Sequence, residues 1–241
     1  MILCLKYGMI TTKVMDIKCE RKAENRMNFN LFDNPIMHAI GRIADFIILN
    51  ILWVICSIPI ITIGASTTAL YTVMLKIVKN EEGYIARGFF KAFKENFRQS
   101  TAIWLVFLLL GVIYAVDFSS IKLMPDKVGG ILQILFLFIG ALLAAMAVYA
   151  FALQARFENT VKNTLKNALI LVFARLPFTV LIIILTVGPV LATFLTVQTL
   201  VIGITVWLFL GVALVAWLNS MLLRIIFRKL EEPQQQKSAD I

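Results

Sequence analysis

Residues 176–223 read LPFTVLIIILTVGPVLATFLTVQTLVIGITVWLFLGVALVAWLNSMLL. This stretch runs for 48 residues without a charged side chain. As a single helix it would be about 72 Å long at ~1.5 Å per residue, more than twice the ~30 Å hydrocarbon core of a bilayer. The chain must therefore cross and return. The polar pair Gln198 and Thr199 marks the expected turn, which places two spans at 176–197 and 200–223. Gly188-Pro189 should kink the first of them, as membrane helices tolerate when neighbours satisfy the freed carbonyl.

The rest of the chain has the same character. Of 241 residues, 60% are hydrophobic and 15% charged, with a mean hydropathy of +0.88. Soluble domains hold about 45–50% apolar and about 25% charged residues, because a compact domain needs a polar shell. The composition is that of an integral membrane protein. It excludes a soluble enzyme, a disordered chain and a nucleic-acid reader, despite the net charge of +9. Cys4, Cys19 and Cys56 show no paired spacing, and His38 is the single histidine. No metal site, cofactor or disulfide framework is expected from such a set.

Four further apolar segments precede the long run. Asp33-Asn34-Pro35 reads as a helix start, with an Asx cap and proline at the first helical position. That helix should run to about Ser57, where Pro59 stops it. Residues 60–75 are uncharged and end at Lys76; 102–116 lie between Arg98 and Asp117; 128–153 are long and uncharged. If 60–75 crosses, the fold is an all-α, polytopic transmembrane bundle of six helices in three hairpins; if it does not, there are five.

The basic residues bear on orientation, because Lys and Arg concentrate in cytoplasmic loops. Arg87, Lys91, Lys94 and Arg98 fall in one connecting segment, Arg156, Lys162, Lys166 and Arg175 in another, and Arg224, Arg228, Lys229 and Lys237 in the C-terminal tail. The segments between have only Lys122 and Lys127, or none. The three rich segments, and with them the C-terminus, are expected inside the cell. Six spans put the N-terminus there too, and this reading is preferred.

Residues 1–26 differ in character from the apolar chain beyond them. They are polar, mixing Lys6, Lys13, Lys18, Arg21, Lys22 and Arg26 with Asp16, Glu20 and Glu24, and lack the apolar run of a signal peptide. They are expected to be an extension upstream of a natural start at Met27; a short basic cytoplasmic tail is the alternative. The membrane domain is then 27–229, with a polar tail at 230–241.

Several stretches resemble a known family: Asn28-Phe29-Asn30, then Ser57-Ile58-Pro59-Ile60-Ile61-Thr62-Ile63-Gly64-Ala65, then Thr68-Ala69-Leu70-Tyr71, then Phe89-Phe90-Lys91-Ala92-Phe93-Lys94-Glu95-Asn96-Phe97. Together they are similar to the YesL family of bacterial multi-pass membrane proteins. The resemblance implies a setting beside carbohydrate uptake or breakdown, with a carbohydrate transporter as a partner. It implies no catalytic residue.

Three patterns are candidates for function. Phe89, Phe90, Phe93 and Phe97 share one helical face, and Arg87, Lys91, Lys94 and Arg98 fall about half a turn away. Such a helix is expected to lie in the membrane interface, contacting anionic lipid headgroups or a partner protein. Residues 157–168 repeat the plan more weakly, with a Glu158–Lys162 pair. Within the first span His38, Arg42 and Asp45 share a face. They form an intrahelical pair near the interface or part of a polar site in the membrane. Gly64, Thr68 and Thr72 repeat every four residues, and Thr179, Thr186 and Thr193 every seven, as helix-packing faces do. The function expected is a non-enzymatic accessory protein. A small transporter is the alternative, for which the spans offer Asp45, Asn50, Gln133, Gln154 and Asn219 as polar groups.

Overall fold

The computed structural model describes residues 35–81, 83–121, 126–157 and 159–239, with side chains at 40–81, 83–121, 129–157 and 159–228. The expected start at Met27, the 1–26 extension and the Glu158–Lys162 pair lie outside the described residues. Helix α1 (Pro35–Ser57) begins at the proline and ends ahead of Pro59. It passes from a first unit, Met1–Asp45, into a second, Phe46–Ile241, which holds the packed helices.

After α1 comes a 3-10 turn, Ile60–Thr62, and then α2 (Ile63–Val78). The Thr62 hydroxyl closes the connection by donating to the carbonyls of Cys56 (2.6 Å) and Pro59 (2.7 Å). The next helices are α3 (Ile85–Ile121), α4 (Asp126–Arg156), α5 (Val161–Ala174) and α6 (Leu176–Thr193). The chain ends in α7 (Val197–Val206), a π-helical turn at Trp207–Gly211, and α8 (Val212–Ala239). The polar stretch from 230 is thus a helical continuation of α8 as far as Ala239.

The turn of the last apolar run falls earlier than Gln198. Thr196 caps α7 by accepting from the Thr199 amide, and Thr199 returns the bond to the Thr196 amide, a capping box. Gln198 and Thr199 are therefore the first turn of a helix, and the reversal is made by Phe194 to Thr196.

Among the described residues every regular element is helical. Among the described residues six helices are long and apolar enough to cross a membrane: Ile40–Ser57, Ile60–Val78, Ile85–Ile121, Gly129–Arg156, Leu176–Thr193 and Val197–Arg228. The outward surface fits that solvent. Ile131 and Ile134 on α4 are more than 70% exposed, and Leu109, Leu137, Phe138 and Ile184 are open as well. Water would not tolerate an apolar surface so extensive; hydrocarbon favours it.

Helix α2, the segment whose crossing the composition leaves open, sits inside the bundle against α3, α4 and α8. Its small residues allow this. A Cβ at Gly64 would lie 2.5 Å from the Ser100 carbonyl oxygen and from Cβ of Trp104, so the backbones of α2 and α3 are in contact there. Trp104 Nε1 locks the register by donating to the Ile60 carbonyl (2.7 Å). The same helix buries Leu70, Tyr71, Met74 and Leu75.

The contacts also give helix directions. Gly64 meets Ser100 while Gly88 lies by Val73, so α2 and α3 run antiparallel. Phe46 meets Trp217 (5.6 Å between rings) and Asn50 meets Ala213, so α1 opposes α8. Tyr71 approaches Asn219, and seven residues on, the Val78 carbonyl accepts from Arg224 Nη1 (2.7 Å), so α2 and α8 run in the same sense.

Candidate functional site

The basic segment and the third span form one helix. Nothing between Arg98 and Ala102 breaks a helix, and α3 continues for 37 residues, about 55 Å at ~1.5 Å per residue. The segment expected as a separate helix lying in the interface is instead an arm of the span, about 22 Å long over residues 85–99. Arg87, Lys91, Lys94 and Arg98 are all exposed along it. Arg87 lies 5.5 Å from the Tyr84 ring centre, and Lys91 reaches Glu95 at 3.9 Å. Both members of that pair are well exposed, so it adds little stability.

Part of the phenylalanine face packs on the protein. Phe89 is fully buried, Phe93 stacks on it at 6.4 Å, and Phe97 meets Phe93 edge-on at 5.5 Å. Ala92 is buried between them. Phe89 therefore presents nothing to lipid or partner, a correction to the expected contact set; Phe90 and Phe97 remain exposed. Amphipathicity here reflects, at Phe89 and Ala92, packing on the protein's own core.

A carboxamide cluster fixes the foot of the arm. Gln154 of α4 is buried, and its Nε2 donates to Gln99 Oε1 (2.5 Å) and Asn96 Oδ1 (3.4 Å) of α3. Thr164 of α5 donates to Gln154 Oε1 (3.3 Å). One side chain thus ties three helices, and a buried amide with both ends paired resists rearrangement. Gln154 stands out in the sequence as a polar group in a span; its partners carry no such signal, being ordinary polar residues on a charged segment.

Arg42 and Asp45 are one turn apart on α1 and interact electrostatically. Arg42 is exposed and Asp45 half-buried. His38 belongs to the same helix, with its side chain outside the described residues.

The heptad threonines of α6 do more than pack. Thr179 shares a hydrogen bond with Tyr149 of α4 (3.2 Å), Thr186 accepts from Asn219 of α8 (3.0 Å), and Thr193 accepts from Trp207 Nε1 (3.0 Å). Each ties α6 to a different stretch of the fold. Asn50 is legible in the sequence only as a polar residue in a span. Fully buried, it donates to the carbonyls of Trp207 (2.9 Å) and Leu208 (2.7 Å) and accepts from the Ala213 amide (2.9 Å). The π turn frees such groups from the helical ladder, and Asn50 takes them up.

Apolar spans around a hydrophobic core stitched by a few buried hydroxyls and carboxamides, with a basic arm on one helix, fit a multi-pass helical membrane protein. The region 46–118, which covers the second half of α1, all of α2 and most of α3, matches the family described as "Protein of unknown function, DUF624". The chain is also similar to the "Uncharacterized protein YteU" of Bacillus subtilis (strain 168), at 28% identity over 151 residues, 61% of this chain and 67% of that one. No solved structure matches the chain at a significant level. The similarities support an uncharacterised bacterial family and carry no residue role across.

Proposed function

We propose that this protein is a non-enzymatic accessory protein of the bacterial cell membrane that docks a partner through the basic arm of α3. The observation carrying this reading is the asymmetry of the arm. Arg87, Lys91, Lys94 and Arg98 are exposed while Phe89 and Ala92 on the same turns are buried, so the charges are displayed from a braced support. Anionic headgroups meet the same face, each Lys or Arg contributing about 1 kcal/mol near an anionic surface. The resemblance to the YesL family suggests a carbohydrate transporter as the partner.

The topology proposed is six spans in three hairpins, with both termini cytoplasmic. The shared direction of α2 and α8, the opposed direction of α1 and the bias of Lys and Arg support it. Co-purification from the native membrane tests the docking role. Recovery of a transporter subunit, lost when the four basic residues become Gln, is the expected result; recovery unchanged by those substitutions refutes the arm as the contact.

The second reading, a small transporter, draws on Ser220 Oγ and Thr68 Oγ1, which are buried without a hydrogen-bond partner. Solute flux into liposomes holding only the purified chain would favour it.

A further inference from the structure

A cleft of about 460 Å³ opens between α1 and the last two apolar helices. Trp53 and Val54 of α1, Val190 of α6, Ile204 of α7, and Trp207 and Leu208 of the π turn form its walls. We infer that this cleft binds one acyl chain of a bilayer phospholipid, an inference that rests on the membrane-spanning reading of the fold. The size is within the ~300–1,000 Å³ of ordinary ligand sites.

The polar groups at the walls select hydrocarbon. Trp53 Nε1 donates to Thr67 Oγ1 (3.2 Å), and Trp207 Nε1 donates to Thr193 Oγ1 (3.0 Å). Both indole N–H groups are thus consumed, and a polar ligand would lose its own hydrogen bonds to water without replacement. The cleft is open: its lining residues Phe194, Ile204 and Leu208 are themselves largely exposed apolar side chains, so on the membrane-spanning reading an acyl chain reaches the site sideways.

The cleft is also built rather than accidental. A π turn displaces Trp207 and Leu208 from the regular helical ladder, and the three hydrogen bonds of Asn50 hold it so. Gly203 lies directly under the Thr193 side chain, which lets α7 close on α6 without filling the space beside Ile204. Helix α7 has no buried residue, so it is packed as a wall and not as part of the core.

Native mass spectrometry of the full chain, purified in mild detergent, tests the site. A phospholipid should stay bound, and V54F/I204F, which narrows the cleft, should reduce its retention roughly tenfold. L109F/I134F, made on open lipid-facing surface, should leave retention unchanged. Equal retention across the three proteins overturns the inference. The unmodified chain gives a second readout in nanodiscs doped with phosphatidylglycerol bearing brominated acyl chains. Tryptophan quenching that saturates at low mole fraction supports the site; quenching merely proportional to mole fraction is annular contact and overturns it. A chain that does not enter nanodiscs overturns the membrane reading, and the cleft with it.

Discussion

Replacing Asn50 by Leu should destabilise the bundle more than any other single polar-to-apolar change in α1. Leucine keeps the volume but removes two donors and one acceptor. The carbonyls of Trp207 and Leu208 and the amide of Ala213 would then lie in the protein interior without their partners. Interhelical hydrogen bonds in membrane proteins average about 0.6 kcal/mol and reach about 1.7. Three of them give about 2–5 kcal/mol, the upper part applying because the groups left behind are backbone groups that cannot turn away. Unfolding in mixed micelles with increasing sodium dodecyl sulfate, monitored by circular dichroism, measures the change. Amide exchange at Ala213 should accelerate in the same variant, while exchange in the middle of α2 should not. A loss below about 0.5 kcal/mol with Ala213 still protected would refute the reasoning, since the π turn would then be relaxing into a regular helix unaided.

Other substitutions probe other joints. Gly64→Ala should cost about 1–3 kcal/mol, because its Cβ meets the Ser100 backbone. Gly111→Ala, with open space around it, should be neutral or slightly stabilising; equal effects of the two in a melting experiment would refute the close contact of α2 and α3. Gln154→Leu should cost about 1–3 kcal/mol and loosen the foot of the arm, read as greater spin-label mobility at Lys94 than at Leu109. For the topology, single cysteines at Ile61 and Ser238 in a cysteine-free background should differ in intact cells. An impermeant thiol reagent should label the first and spare the second, and the reverse pattern would invert the proposed orientation.

Much of the helical plan could be read from residues alone. Pro59 ends α1 because proline stops a continuing helix; the Asp33-Asn34 cap expected ahead of Pro35 lies outside the described residues. The long uncharged run folds back as its length requires. Two errors have a common source in polar residues near apolar ones. Gln198 and Thr199 look like a turn but serve as the first turn of α7, because a threonine at the N3 position completes a capping box. The Arg87–Arg98 stripe looks like a free amphipathic helix. A periodic pattern reports that one face is buried, not whether lipid or protein buries it, and here the inner turns lie on the protein. The roles of Asn50 and of the α6 threonines depend on partners more than a hundred residues away or on other helices, which no local period encodes.

The unbroken course of α3 makes it a lever. Its span and its arm share one axis, so the arm cannot stay still when the span leans to match a thinner or thicker bilayer. A tilt of ~10° would carry the tip of the ~22 Å arm sideways by about 4 Å, roughly two-thirds of the ~5.4 Å pitch of one helical turn. Because Gly64 meets Ser100 and Gly88 lies by Val73, α2 packs along the arm itself, and the two would swing together. Arg87 and Lys91, exposed on the arm, would be carried with it.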